Sequence, residues 1–165
     1  MGDLLIVVMG GAIARFFDLK EAEFPELESG PNLMEIHKIG NPEKGLRGRE
    51  LYTDLKTGRG RAPMGGPSHG YDDHRDQHHD ESDRRFVKRI SDEIRALFKK
   101  MNPKKIILVS PPKMLGFLRE ELEYTKMKGL AIVEVQKDMS KFSPLQIQSQ
   151  LSKEGLIPAR KRPKE

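Results

Sequence analysis

The sequence predicts an α/β domain built on a mixed sheet. Three observations lead there: an apolar run, a Gly-Gly turn and an alternating segment at the amino end; a strand–helix–strand succession in the carboxyl half; and, before that succession, one long helical face. The first demands antiparallel strands and the second parallel ones, so one sheet must contain both.

Leu4-Leu5-Ile6-Val7-Val8-Met9 is continuously apolar, as expected of a strand buried on both faces. Gly10-Gly11 supplies the turn, and Ala12 to Leu19 alternates, with Ile13, Phe17 and Leu19 set against Arg15 and Asp18. Residues 20–32 are acidic and close on Ser29-Gly30-Pro31-Asn32, a loop. Leu33 to Ile39 alternates again and forms a third strand. Residues 40–80 are rich in Gly and Pro and lack an apolar period, so they are expected to form a long mobile loop. Phe86, Ile90, Ile94, Leu97, Phe98 and Met101 mark one helical face, ended by Asn102-Pro103. Ile106 to Val109 is a buried strand. Ser110-Pro111 starts a helix, with Ser110 as N-cap, and Leu115, Leu118 and Leu122 form its stripe. Leu130 to Val135 is the next strand, parallel to the preceding one. Ser143-Pro144 caps a last helix carrying Leu145, Ile147 and Leu151. One domain over residues 1–152 and a basic, flexible tail over 153–165 complete the expected organisation.

The chain has 165 residues, 36% of them apolar, which suffices for one modest core. It has no Cys, which excludes disulfides, thiolate metal sites and Cys nucleophiles. The longest apolar run, Leu4 to Met9, falls far short of the roughly 20 residues of a membrane span, and it lacks the basic flank of a signal peptide. A cytoplasmic location without a membrane partner is therefore expected. A net charge of +5 and a pI of about 9.4 permit a polyanionic partner.

The expected loop is polarised. Lys44, Arg47, Arg49, Lys56, Arg59 and Arg61 face only Glu50 and Asp54 in its first part, interleaved with glycines that let the chain follow phosphates. Asp72, Asp73, Asp76, Asp80, Glu81 and Asp83 follow, so the two halves could instead pair with each other. His69, His74, His78 and His79 lie among these acids and could ligate a divalent ion, although no HExxH pattern is present. Asp80 or Ser82 is expected to cap the long helix, with Arg84, Arg85, Lys88 and Arg89 along a basic face. No P-loop, GxSxG or Ser-x-x-Lys occurs, and no cofactor is expected.

Four segments together resemble the bacterial host-attachment protein family: the Leu4–Asp18 hairpin; Arg49-Glu50-Leu51-Tyr52-Thr53-Asp54; Ser110-Pro111-Pro112-Lys113-Met114-Leu115-Gly116-Phe117-Leu118-Arg119; and Gln136-Lys137-Asp138-Met139-Ser140-Lys141-Phe142. That family is similar in turn to the central domain of archaeal and eukaryotic peptide-chain release factors. The resemblance implies a ribonuclease-H-like mixed sheet flanked by helices. In release factors a Gly-Gly-Gln loop helps water attack the peptidyl-tRNA ester. Here Gly65-Gly66 is followed by Pro67, which offers neither a side-chain amide nor an N–H. The resemblance thus implies a non-hydrolytic protein that binds ribosomal RNA or tRNA through Lys44, Arg47, Arg49, Lys56, Arg59, Arg61, Gly65 and Gly66. Two alternatives remain open: support of attachment to host cells or surfaces, and a peptidyl-tRNA hydrolase with a degenerate loop.

Overall fold

A computed structural model describes residues 3–44, 69–124, 127 and 129–163, with backbone alone for 69–79. The unbroken apolar run becomes the middle of the sheet. In β1 (Leu4–Met9), Leu5 to Met9 are fully buried. The turn at Gly10 to Ala12 returns the chain antiparallel as β2 (Ile13–Lys20), and Gly10 N–H donates to the Ile13 carbonyl at 2.9 Å. A third strand, β3 (Asn32–Gly40), continues antiparallel along β2. On the other side of β1 lie β4 (Lys105–Val109) and then β5 (Ala131–Val135), both parallel. The order β3-β2-β1-β4-β5 is the mixed, ribonuclease-H-like sheet expected, and three helices flank it.

Strand periodicity sends alternate residues of β1 to two cores. Leu5, Val7 and Met9 join Phe16, Ile106 and Leu108 beneath helices α1 (His69–Met101) and α2 (Pro112–Leu122). Ile6 and Val8 join Phe17, Ile107 and Val109 beneath α3 (Pro144–Lys153). Pairing of β2 with β3 shifts register once. Phe16 faces His37 but Phe17 faces Glu35, so Ile36 is the extra residue of a bulge on the edge strand.

The helical face read from spacing is the one that packs: Phe86, Ile90, Ile94 and Leu97 are buried. Asn102, at a φ of 49°, ends α1 with its N–H on the Phe98 carbonyl. The beginning of α1 differs from expectation. It starts at His69, so residues 69–80 are helical rather than loop, and Asp80 and Ser82 lie inside the helix rather than at its cap. Polar composition hid this, because a segment without an apolar period fits a loop or a helix equally well. Residues 45–68 of the expected loop lie outside the described residues.

Ser110 is likewise not the cap of α2. Its N–H bonds the Val135 carbonyl, which keeps it in the sheet, and the helix starts one residue later with Pro111 as cap and Pro112 inside. Ser143 does cap α3, in a reciprocal box with Gln146. Leu145 is 60% exposed there, so the packing stripe is Ile147 and Leu151. The carboxyl-terminal segment is also tied down further than expected. Ile157 is buried, and Lys161 exchanges two backbone hydrogen bonds with Gly30.

Edge strand β5 is clamped to α2 by Glu134. Arg119 holds both of its oxygens, and the Tyr124 hydroxyl donates to it at 2.9 Å. The Arg119 hydrogen bond, helped by Tyr124, holds the Glu134 carboxyl below the ordinary carboxylate range, while burial opposes this. A lowered folded-state value stabilises the fold above the unfolded value, and the contribution is lost as pH falls through the folded value. The stability gap between wild type and Glu134→Gln is therefore expected to shrink from pH 7 toward pH 3. Urea unfolding across that range checks it; a gap independent of pH would refute the clamp.

Candidate functional site at the carboxyl end of the sheet

In open α/β sheets, ligands are received outside the carboxyl ends of parallel strands, where the strand order reverses. Here that point lies between the ends of β1 and β4. Gly10 and Gly11 follow β1, Ser110 follows β4, and Gln136 to Ser140 follow β5. The three exits bring a polar cluster together. Asp138 Oδ1 accepts from the Ser140 N–H at 3.0 Å and from its hydroxyl at 2.7 Å. This Ser packs so closely on Gly10 that a Cβ there would stand 2.8 Å from Ser140 Oγ and 3.2 Å from Ser140 Cβ. Gly10→Val is accordingly expected to cost about 1–3 kcal/mol by overpacking. In a G10V/S140A double variant part of that loss should return. Equal losses by urea unfolding with and without S140A would refute the contact as the cause.

On the other flank, Asn41 is buried, donating to the Gly11 carbonyl and accepting from the Glu43 N–H. It thereby holds the Gly-Gly turn against a short 3-10 turn at Pro42–Lys44. Lys44 Nζ reaches Asp83 Oδ1 of α1 at 3.5 Å, both beside Gly11. Lys113, in the first turn of α2, pairs with Asp80 at 2.7 Å. Arg85 of α1 pairs with Glu43. Three of the four residues of the expected basic face of α1 are thus employed in packing. Arg85 ties the turn down, Arg89 reaches the Gly40 carbonyl at 3.4 Å, and Arg84 lies over the Phe117 ring. Ser82 is also inside, 7% exposed, and its hydroxyl has no hydrogen-bond partner among the described residues.

Beneath the cluster sits Arg15, which the period of two puts on the same face of β2 as Ile13 and Phe17. It is 8% exposed. Its guanidinium grips Glu35 through Nε and Nη2, the latter at 2.8 Å. Nη1 donates to the carbonyls of Ser140 at 3.1 Å and Phe142 at 2.6 Å. One side chain therefore joins β2, β3 and the loop after β5. Polarity alone sets Arg15 against Ile13 and Phe17, but two-residue spacing puts it on their covered face, so sequence reasoning missed it. Asp138 and Ser140 were marked by the resemblance but not as partners of Gly10.

Of the residues expected to bind RNA, Lys44 is placed and is engaged with Asp83. Arg47, Arg49, Lys56, Arg59, Arg61, Gly65 and Gly66 lie outside the described residues, as does Pro67. His69, His74, His78 and His79 fall where only backbone is described. Among the described residues no three His, Cys, Asp or Glu side chains gather as a metal site. Among the same residues, no helix is long and apolar enough to cross a membrane.

A family model described as a protein required for attachment to host cells matches residues 5–151, from β1 into the last turn of α3. No curated protein is significantly similar to the chain. The family's role overturns the expectation of ribosomal RNA or tRNA as partner, and with it the RNA-binding and translation reading drawn from the release-factor likeness. The engagement of Lys44 in an ion pair agrees with that correction.

Proposed function

Because the chain belongs to the family of proteins required for attachment to host cells, we propose that it supports attachment of the bacterium that makes it to a host cell, by binding another macromolecule. The observation that carries this reading is the span of the match, which takes in the five described strands and the described flanking helices apart from Leu4 of β1 and the last two residues of α3. The surface is in keeping with a binding role. Phe24, Leu27, Met34 and Ile36 are exposed large apolar side chains within one short stretch of chain. The likeness to the release-factor central domain belongs here as a proposal about descent of the fold, supported by the element order, and it carries no activity.

The test is a deletion strain scored for adherent cells on a cultured host monolayer. Loss of the gene is expected to lower adhesion, and wild-type protein supplied in trans should restore it. A folded variant with Phe24, Leu27 and Met34 changed to Ser should restore it less well. Unchanged adhesion of the deletion strain would overturn the proposal.

A further inference from the structure

The segment after α3 forms one wall of a hollow. Lys161 exchanges backbone hydrogen bonds with Gly30, at 2.9 and 2.8 Å, and this bridge joins the segment to the acidic loop between β2 and β3. A glycine suits the bridge, since a Cβ at Gly30 would stand 2.7 Å from Ala22 Cβ and would push the two ends of the loop apart. Beside the bridge a hollow of about 290 Å³ opens between loop and segment. Glu21 and Glu28 border it from the loop, and Lys161 and Arg162 border it from the segment. Pro25, Pro31 and Pro158 give it an apolar lining.

Hydrogen bonds beneath the hollow fix its walls. Gln148 of α3, 2% exposed, donates through Nε2 to the Pro31 carbonyl at 2.8 Å and to the Pro158 carbonyl at 3.4 Å, so one buried amide pins both prolines. Arg160 Nε donates to Asn32 Oδ1 at 2.8 Å, a second tie between the same two stretches of chain. A site with its walls already set loses little freedom when a ligand enters. The charges around the hollow are not spent on one another. Glu28 accepts the Phe24 N–H at 3.4 Å, within its own loop. Among the described residues, no ion pair joins either glutamate to Lys161 or Arg162.

Two carboxylates and two cations balance, so a ligand with a single charge is drawn to one wall and repelled by the other. A molecule with both charges finds a partner on each. The volume is at the lower end for small-molecule sites and suits a body of amino-acid size, whose side chain the prolines can cover. We propose that this hollow binds a free α-amino acid with an apolar side chain, its ammonium toward Glu21 and Glu28 and its carboxylate toward Lys161 and Arg162. The inference does not rest on the attachment reading.

The test is a titration of the isotope-labelled whole chain with L-phenylalanine, followed by amide chemical shifts. Saturable shifts centred on Ala22, Gly30 and Ala159 are expected. L-phenylalaninamide lacks the carboxylate, and N-acetyl-L-phenylalanine lacks the ammonium. Each should bind at least about tenfold more weakly, because each gives up hydrogen bonds between charged groups. K161M/R162M should weaken L-phenylalanine by a similar factor and erase its advantage over the amide. E21Q/E28Q should instead erase its advantage over the N-acetyl form. No saturable shift up to about 10 mM, shifts centred elsewhere, or equal binding of the blocked forms by wild type would overturn the proposal. Variants that bind and discriminate as wild type does would overturn it too. The dispersion of the amide spectrum verifies folding of each variant. If a double variant is unfolded, E21Q and K161M singly serve in its place, with the same outcomes deciding.

Discussion

Arg15→Ala is expected to destabilise the protein by about 3–5 kcal/mol, the cost of breaking a buried ion pair by removing one partner. The change takes the two-pronged donor from the Glu35 carboxylate, 22% exposed, and leaves it the more distant Lys38 at 3.7 Å. It also strips a donor from the carbonyls of Ser140 and Phe142 and removes the cation that lies 5.1 Å from the centre of the Phe17 ring. For a chain of this size each kcal/mol moves the melting temperature by about 2–4 °C, so a fall of roughly 6–20 °C is expected. Replacing both members of the pair by apolar residues, Arg15→Met with Glu35→Leu, should recover much of the loss, because the remaining cation, Lys38, is 30% exposed and reaches water. Urea unfolding of the two single variants and the double variant closes the cycle. A loss below about 1 kcal/mol for Arg15→Ala would show that solvent already satisfies these groups.

Phe86→Ala should have an effect of similar size for a different reason. Phe86 is 1% exposed on α1, within the core formed with β1, β2, β4 and α2. Truncating a buried Phe removes its transfer free energy and leaves a cavity, together about 3–5 kcal/mol. Leu at the same position keeps much of the volume and should cost less than half as much. The contrast is Leu145→Ser on α3. That side chain is 60% exposed, and its loss should fall within about 0.5 kcal/mol. If Leu145→Ser proved as damaging as Phe86→Ala, the packing face assigned to α3 would be wrong.

Burial made much of the fold legible. The run Leu4 to Met9, the hairpin that follows it and the helical spacing from Phe86 to Leu97 each reflect a side that must avoid water, and each lies where its period placed it. Parallel pairing of β4 and β5 followed from the handedness and length of a strand–helix–strand unit. Ser110 and the start of α1 were not legible, because each turns on a local choice between two hydrogen-bonding states of the backbone. Ser110 could cap α2 or extend the sheet, and the Val135 carbonyl decides for the sheet. The polar residues from His69 to Asp80 fit a loop or a helix equally well by composition. At the polar cluster, the residue types were visible but their meetings were not. Gly10 with Ser140, Lys44 with Asp83 and Arg15 with Phe142 are joined across up to 130 positions of sequence, and no local period encodes such a pair. Basic residues before a helix suggested phosphate, but the one described, Lys44, serves an internal carboxylate.

The bulge at Ile36 bears on how the molecule survives in concentrated solution. A sheet whose outermost strand is long, flat and apolar invites a neighbouring molecule to add a strand, and growth of that kind ends in fibrils. The nine-residue β3 is such an outermost strand by length, and Met34 and Ile36 give it apolar character. The extra residue breaks its register halfway, and Glu35 and Lys38 place charges on either side of the break. At the opposite border β5 has only five residues, with Glu134 locked to Arg119. Backbone-to-backbone growth is therefore discouraged at both borders, and partners are left to approach through side chains. Deleting Ile36 would straighten β3 while leaving His37 to Gly40 on their present partners, and fibril formation is the hazard that such a smooth edge would expose.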